Sequence, residues 1–162
     1  MILVRPAILA DIPAVLPMVE SISSLHRKWD VDRFGIRQDV QQMYARWLPE
    51  RIVDATSVFL VAERSGAGQE ETKLAGYVVG TLEEEIPIYW LPACGYIHDV
   101  WVDDAYRHEG VGKQLVMEAV ARFKEIGVTQ VRLETAAINE TGRGLFTSCG
   151  FRPATVEMMI VL

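Results

Sequence analysis

Cysteine is scarce in this chain, with two residues in 162, Cys94 and Cys149. Two thiols cannot build the several bridges of a small disulfide scaffold. With three histidines in all, no Cys/His cluster has metal-ligand spacing, so no metal is expected. A reducing, cytoplasmic setting follows as the expectation. Basic charge is also short: 16 Lys and Arg stand against 22 Asp and Glu, a net charge of −6. A nucleic-acid binder draws its affinity from clustered cations, so that class is excluded, and cationic partners are mildly favoured. Long apolar runs are missing as well. No stretch approaches the roughly 18 residues of a membrane span, and Met1 to Pro6 has no charged leader ahead of an apolar run. Neither insertion nor export is expected.

What the chain does have is core-forming material: half of its residues are apolar and 23% are charged. That composition belongs to a globular fold rather than a disordered chain. The length suits one domain over residues 1–162, without internal repeats, burying about two thirds of the unfolded surface.

The hydrophobic period changes along the chain and marks a mixed α/β order. A short strand over Ile2 to Arg5 precedes Asp11, a candidate N-cap, and Pro13, which the first helical turn tolerates. Ile12, Val15, Leu16, Val19 and Ile22 then recur at three and four residues, the stripe of a first helix. The polar segment Ser24 to Asp30 reads as a loop, and a second helix is expected over about Arg37 to Leu48. Val58 to Ala62 and Leu74 to Leu82 read as strands of a hairpin joined by the turn Ser65 to Lys73, and Tyr96 to Val102 reads as the next strand. From Val111 the spacing returns to that of a helix, which Gly127 is placed to stop. A strand over Thr129 to Thr135, a short helix over about Asn139 to Cys149 and a last strand over Val156 to Leu162 complete the order.

The chemistry is concentrated where the Tyr96 to Val102 strand feeds a turn and then the helix starting at Val111. In Arg107-His108-Glu109-Gly110-Val111-Gly112, two glycines let the backbone approach an anion, and the amides and positive dipole end of the helix attract it. Phosphate is the expected guest. A dinucleotide fingerprint would need Gly or Ala where Leu115 stands, although Glu134 lies near the distance of a ribose-binding acid. A Walker loop fails, because Arg107 occupies the place of its first glycine and Gln114 follows Gly112-Lys113.

Arg107-x-x-Gly110-x-Gly112 after a Val-x-Val strand resembles the acetyl-CoA signature of the GNAT superfamily of N-acetyltransferases. Val4-Arg5-Pro6-Ala7 with Asp11-Ile12-Pro13 is similar to that family's first strand and helix. Asn139, Leu145-Phe146 and Gly150-Phe151 resemble its second cofactor segment. The resemblance runs from Ile2 to Leu162. It implies a central mixed, mostly antiparallel sheet flanked by helices, and acetyl transfer from acetyl-CoA to an amine. It implies that the stretch Arg107, His108, Glu109, Gly110, Val111, Gly112 and Lys113 holds the pyrophosphate through its backbone. Main chain at Val100, Trp101 and Val102 would pair with the pantetheine arm, and Asn139 and Phe146 would flank it. Family members are frequently dimers, and a homodimer through Met158 to Leu162 is one expectation; filling the core is the other.

His98 stands on the strand beside the expected thioester, where similar proteins carry Glu or His as a base, and its ordinary pKa near 6.5 suits proton abstraction at neutral pH. Asp99 alternates to the other face of a regular strand unless a bulge near Val100 redirects it, and is read as substrate-binding or structural. His26 and Trp29 are candidates to line the acceptor pocket, and Glu83-Glu84-Glu85 to attract a cationic acceptor or to form solvated surface. Phe146 departs from the family, in which a Tyr at this place protonates the thiolate; Tyr96, Tyr106, Thr147 and Ser148 are possible donors nearby, and Cys149 reads as packing. Three readings follow: an N-acetyltransferase acting on a small-molecule or peptide amine, a CoA-binding sensor or interaction module without catalysis, and a dinucleotide-binding protein that takes NAD instead of acetyl-CoA. Gly142 and Gly144, costly inside a helix, point to a close approach there or to an irregular helix.

Overall fold

The computed structural model describes residues 1–64 and 73–162. Five strands form one open sheet in the order β1-β2-β3-β4-β5: β1 (Ile2–Pro6), β2 (Val58–Arg64), β3 (Lys73–Glu84), β4 (Ala93–Val102) and β5 (Val131–Leu133). The first four pair antiparallel and β4 pairs parallel with β5. The sheet is therefore mixed and mostly antiparallel. The turn expected over Ser65 to Lys73 falls almost wholly outside the described residues.

Helices cover both faces. α1 (Ile12–Trp29) and α2 (Val40–Val53) lie on one, α3 (Val111–Ile126) on the other, and α4 (Glu140–Ser148) sits beside α3. Strand alternation feeds both layers. Phe59, Val61, Tyr77 and Val79 meet Val15, Val19 and Leu48 of the first two helices. Leu60, Ala62, Val78 and Ile97 meet Val111, Leu115, Ala119 and Phe123 of α3.

Phe123 shapes that second layer. A Cβ built on Gly95 would lie 2.6 Å from its ring, and one on Gly80 would lie 2.9 Å from it. The ring occupies the space that side chains would take on β3 and β4. Gly95→Ala is thus expected to overpack the site and cost about 1–3 kcal/mol, read as a lowered urea midpoint with an unchanged slope.

Four expectations are corrected here. Asp11 does not cap α1; its carboxylate accepts from Arg5 Nη1 at 2.7 Å, Arg5 Nη2 at 2.9 Å and the Ile8 amide at 2.8 Å. Ser24 to Asp30 is not a loop, because α1 continues to Trp29. Ile22, His26 and Trp29 prolong the apolar stripe at helical spacing, and Ser23, polar in the sequence, is buried. β5 is shorter than Thr129 to Thr135, since its ladder has only Gly95 to Ile97 to pair with. Val156 to Leu162 forms no strand and is exposed throughout, so it does not fill the core; the turn after α4 leads into Arg152-Pro153, and proline has no amide to offer a ladder. Among the described residues no helix is long and apolar enough to cross a membrane.

Candidate active site

β4 changes partners along its length, and this opens the site. Its pairing with β5 ends at Ile97↔Leu133, whereas its pairing with β3 runs on to Val102↔Gly76. From His98 to Val102 one edge of β4 therefore has no strand beside it. The side chains of Val100 and Val102 pack toward α3 and that of Trp101 toward α1 and α2. One main-chain group on this stretch is already engaged: the Val102 carbonyl accepts from Arg107 Nε at 3.2 Å.

The loop after β4 delivers the chain to α3 through two left-handed residues, His108 at φ 64° and Gly110 at φ 81°. Asp103 starts the turn by accepting from the Ala105 amide at 3.0 Å. Arg107 folds back, pairing with Asp104 at 2.6 Å and lying 4.8 Å over the Trp101 ring. Its side chain thus organises the loop. Its amide bonds the Asp104 carbonyl, so the open amides begin one residue later than the sequence implied. No side chain caps α3, and the first amide inside it with a partner is that of Gln114, bonded to the Gly110 carbonyl. The amides of His108, Glu109, Gly110, Val111, Gly112 and Lys113 follow one another into the positive end of a 16-residue helix. Successive amides of this kind form an anion cradle.

Gly112 admits α4 to this cradle. A Cβ there would lie 3.1 Å from Leu145 Cδ2 and 3.5 Å from Val102 Cγ2. Asn139 caps α4: its Oδ1 accepts from the Gly142 amide at 2.9 Å, and its Nδ2 donates to Thr135 Oγ1 at 2.9 Å. The close approach that Gly142 hinted at is this cap, because a Cβ would fall 2.2 Å from Asn139 Nδ2. Gly144 has open space around it. Phe146 turns its ring toward Phe151, 6.1 Å away.

A bulge sets the direction of His98 and Asp99. Val79 pairs with Asp99 and Gly80 with Ile97, so His98 is the extra residue of β4. The bulge lies two residues before the expected Val100, and it brings His98 and Asp99 to the same side, toward α2, instead of opposite faces. Trp47 on α2 meets the His98 ring edge-on at 5.5 Å, and Tyr96 meets it at 5.2 Å. His98 Nε2 lies 2.7 Å from Thr81 Oγ1, and the Thr81 hydroxyl donates to Glu83 Oε1 at 2.7 Å. A hydroxyl has one proton to give. With that proton committed to Glu83, Thr81 accepts from Nε2–H, and Nδ1 is left with the lone pair. Burial pulls the imidazole pKa down and Arg51 adds to this, while Asp99 and Glu83 oppose it. The ring is held neutral, with 29% of its side-chain surface still open.

Asp99 is buried, and its Oδ2 accepts from Tyr44 at 2.6 Å and from Tyr77 at 3.4 Å. Burial pushes its pKa up while the two phenols hold it down. His26 Nδ1 donates to the Ile22 carbonyl at 2.8 Å, and its ring packs against Trp29 at 5.1 Å and Phe34 at 4.8 Å. His26 and Trp29 thus form a packed group at the end of α1, with His26 within electrostatic reach of Asp99. Two of the three acidic residues expected to present a surface patch are engaged: Glu83 joins the His98 network, and Glu85 pairs with Arg132. Glu134, weighed as a ribose ligand, pairs with Arg33 at 3.3 Å. Burial, then Glu134, push the Tyr96 hydroxyl up to about 12, so it keeps its proton.

Sequence reasoning missed Thr81 and Trp47. Strand alternation could have suggested Thr81, since a polar residue facing α2 interrupts the run Tyr77, Val79. Nothing in the sequence pointed to Trp47.

The comparisons agree with this geometry. The model of the acetyltransferase (GNAT) family matches residues 22–151. Human N-acetyltransferase 8B is 27% identical over 146 residues, 85% of this chain and 59% of that protein, so the chain spans about three fifths of that relative's length. Among solved structures, a mutant of the BH1408 protein from Bacillus halodurans superposes with a TM-score of 0.83 at 21% identity, covering 99% of both chains. A predicted acetyltransferase from Clostridium acetobutylicum, crystallised with acetyl-CoA, gives 0.74 at 17% identity over 99% of this chain and 96% of that one.

Proposed function

The chain belongs to the acetyltransferase (GNAT) family, and from that premise we propose that it moves an acetyl group from acetyl-CoA directly to a primary amine, with His98 as the general base. The observation that carries this reading is the juxtaposition of an uncapped amide cradle, an unpaired β4 edge and a neutral imidazole along one continuous strand and loop.

The residues present fit the cosubstrate. Amides of residues 108–113 suit a pyrophosphate, which needs several donors and no counter-carboxylate. The edge from His98 to Val102 offers amides and carbonyls to an extended, amide-bearing arm in the manner of an added strand. Acetyl-CoA brings an activated thioester, and this chain's work is to hold its carbonyl and prepare the amine. An amide of the Val100 to Val102 edge would polarise that carbonyl as charge builds on oxygen.

His98 Nδ1 then takes a proton from the amine nitrogen as the new C–N bond forms and the C–S bond breaks. Thr81 and Glu83 fix the tautomer that leaves Nδ1 free, and Glu83 stabilises the imidazolium that results. Phe146 supplies no proton to the departing sulfur. A thiolate is a tolerable leaving group, and water can protonate it. Asn139 positions α4 through its cap, which brings Leu145 against Gly112. The half-exposed carboxylate of Glu83 beside His98 favours a cationic acceptor, a small molecule or a peptide amine. Two unpaired cysteines suit a reducing compartment such as the cytoplasm.

The test is release of free CoA thiol from acetyl-CoA in the presence of polyamines, aminoglycosides, amino acids and peptide N-termini. Release dependent on one amine class, with the acetylated amine detected by mass, is expected. Tight acetyl-CoA binding without release for any of them would favour a binding module that does no chemistry.

A further inference from the structure

The loop between β3 and β4 keeps its largest apolar side chains in water. Ile86, Ile88, Tyr89 and Trp90 are 58%, 80%, 56% and 92% exposed, and neither core cluster includes any of them. They gather in one place the apolar surface that monomers normally scatter, which marks a contact surface. The loop is also held in shape. The Glu85 amide bonds the Pro92 carbonyl at 2.9 Å and closes its base, and the Tyr89 amide bonds the Ile86 carbonyl at 3.1 Å in a turn. Pro87 and Pro92 fix φ at two further points. A surface shaped in advance loses little entropy when it is covered.

Strand register ties this loop to the candidate active site. Glu85 pairs with Arg132, and Arg132 stands opposite Tyr96 of β4, whose ring meets that of His98 at 5.2 Å. Side chains opposite one another in a sheet share a face. The base of the loop therefore lies on the His98 side of the sheet. Glu83, on the strand that enters the loop, is already bound to Thr81 of the His98 network. Ala93, where the loop rejoins β4, comes five positions before His98, about 17 Å along a strand. Between the two, the floor carries the Tyr96 hydroxyl, the Arg132 guanidinium and the half-exposed Glu83 carboxylate.

We infer that this loop docks the acceptor, and that the acceptor is a peptide with a large apolar residue about five positions from its reactive amine; the inference rests on the reading of His98 as the base. An extended peptide covers about 17 Å in five residues, the separation between His98 and the foot of the loop. Its amides suit the polar floor, which a hydrocarbon chain would desolvate without pairing. Glu83 and the exposed Glu84 attract the ammonium end. Charge at the stem and apolar surface at the tip thus select a cation and an apolar group in one molecule. A polyamine or an aminoglycoside spans the floor but has nothing to lay on Ile88 and Trp90.

The test is binding, followed by fluorescence anisotropy, of two peptides that have a free N-terminus and a fluorophore at the carboxyl end. One has tryptophan at its fifth position and the other serine. The full chain is expected to bind the tryptophan peptide more tightly by roughly tenfold or more, the least that burying a large apolar side chain brings. The double variant Ile88→Ser, Trp90→Ser is expected to bind both peptides at the weaker level. Both side chains stand in water, so its far-ultraviolet spectrum and its affinity for acetyl-CoA should match those of the unaltered chain. Equal binding of the two peptides by the full chain would overturn the inference, as would a preference that survives in the variant. Turnover separates this inference from the proposed activity. A preference for the tryptophan peptide without its acetylation would uphold the docking loop and remove the transfer reaction. Acetylation of both peptides with one KM, in the full chain and the variant alike, would uphold the reaction and remove the loop from acceptor binding.

Discussion

Replacing His98 with alanine is expected to lower acetyl transfer by about 10²- to 10⁴-fold near neutral pH and to leave acetyl-CoA affinity unchanged. The residue faces α2 rather than the amide cradle, so its loss takes away the proposed proton acceptor without touching the loop proposed for the phosphates. The pH dependence gives the sign. Burial lowers the His98 pKa below its ordinary value, so the imidazole is the neutral base at pH 7, and the rate falls only as acid protonates it at lower pH. Thr81→Val should move this limb, because Nε2 loses its acceptor and the tautomer is no longer fixed. Its rate loss should be smaller than that of His98→Ala. Transfer by His98→Ala at the wild-type rate would remove this residue from the chemistry and leave the proton to water.

Gly112→Val should weaken acetyl-CoA binding roughly ten- to hundredfold, the counterpart of the 1–3 kcal/mol that overpacking costs. The first added carbon already meets Leu145 at 3.1 Å and Val102 at 3.5 Å. A branched side chain must push α4 away or rotate the start of α3, and either shift moves the amides that form the cradle. Gly144→Ala is the matching control. Nothing lies within 4 Å of its added carbon, and alanine inside a helix is favoured over glycine by up to about 1 kcal/mol, so α4 should gain slightly in stability with no loss of affinity. Calorimetric titration of both variants with acetyl-CoA separates them.

The legible parts of the molecule were those in which a single local rule decides. The α3 stripe from Val111 to Ile126 and its stop at Gly127 were readable because helical period and a left-handed glycine cap act within a few residues. The cradle was readable because two glycines where a strand turns into a helix bring bare amides and the positive helix end to one place. Misreadings arose where tertiary contacts override local pattern. Ser24 and His26 look like loop residues until α1 is packed on the sheet. Val156 to Leu162 reads as a strand in composition but forms none, because a strand needs a partner and composition does not supply one. The acid–base network lay further out of reach. His98 was identifiable by type and place, but the bulge that turns it to the same side as Asp99, and the hydroxyl of Thr81 that links it to Glu83, depend on one extra β4 residue between the partners of Val79 and Gly80. No periodicity records that extra residue.

Whatever the amine, the proposed transfer requires acetyl-CoA to lie along the β4 edge and against the α3 N-terminus. Backbone amide resonances of residues 98–113, followed during titration with acetyl-CoA and separately with NAD, test this without knowledge of the acceptor. The expected result is saturable shifts that are largest at His108 to Lys113 and at Val100 to Val102 with acetyl-CoA, and none with NAD. Shifts confined to other parts of the sheet, or the same amides answering to NAD and not to acetyl-CoA, would contradict it.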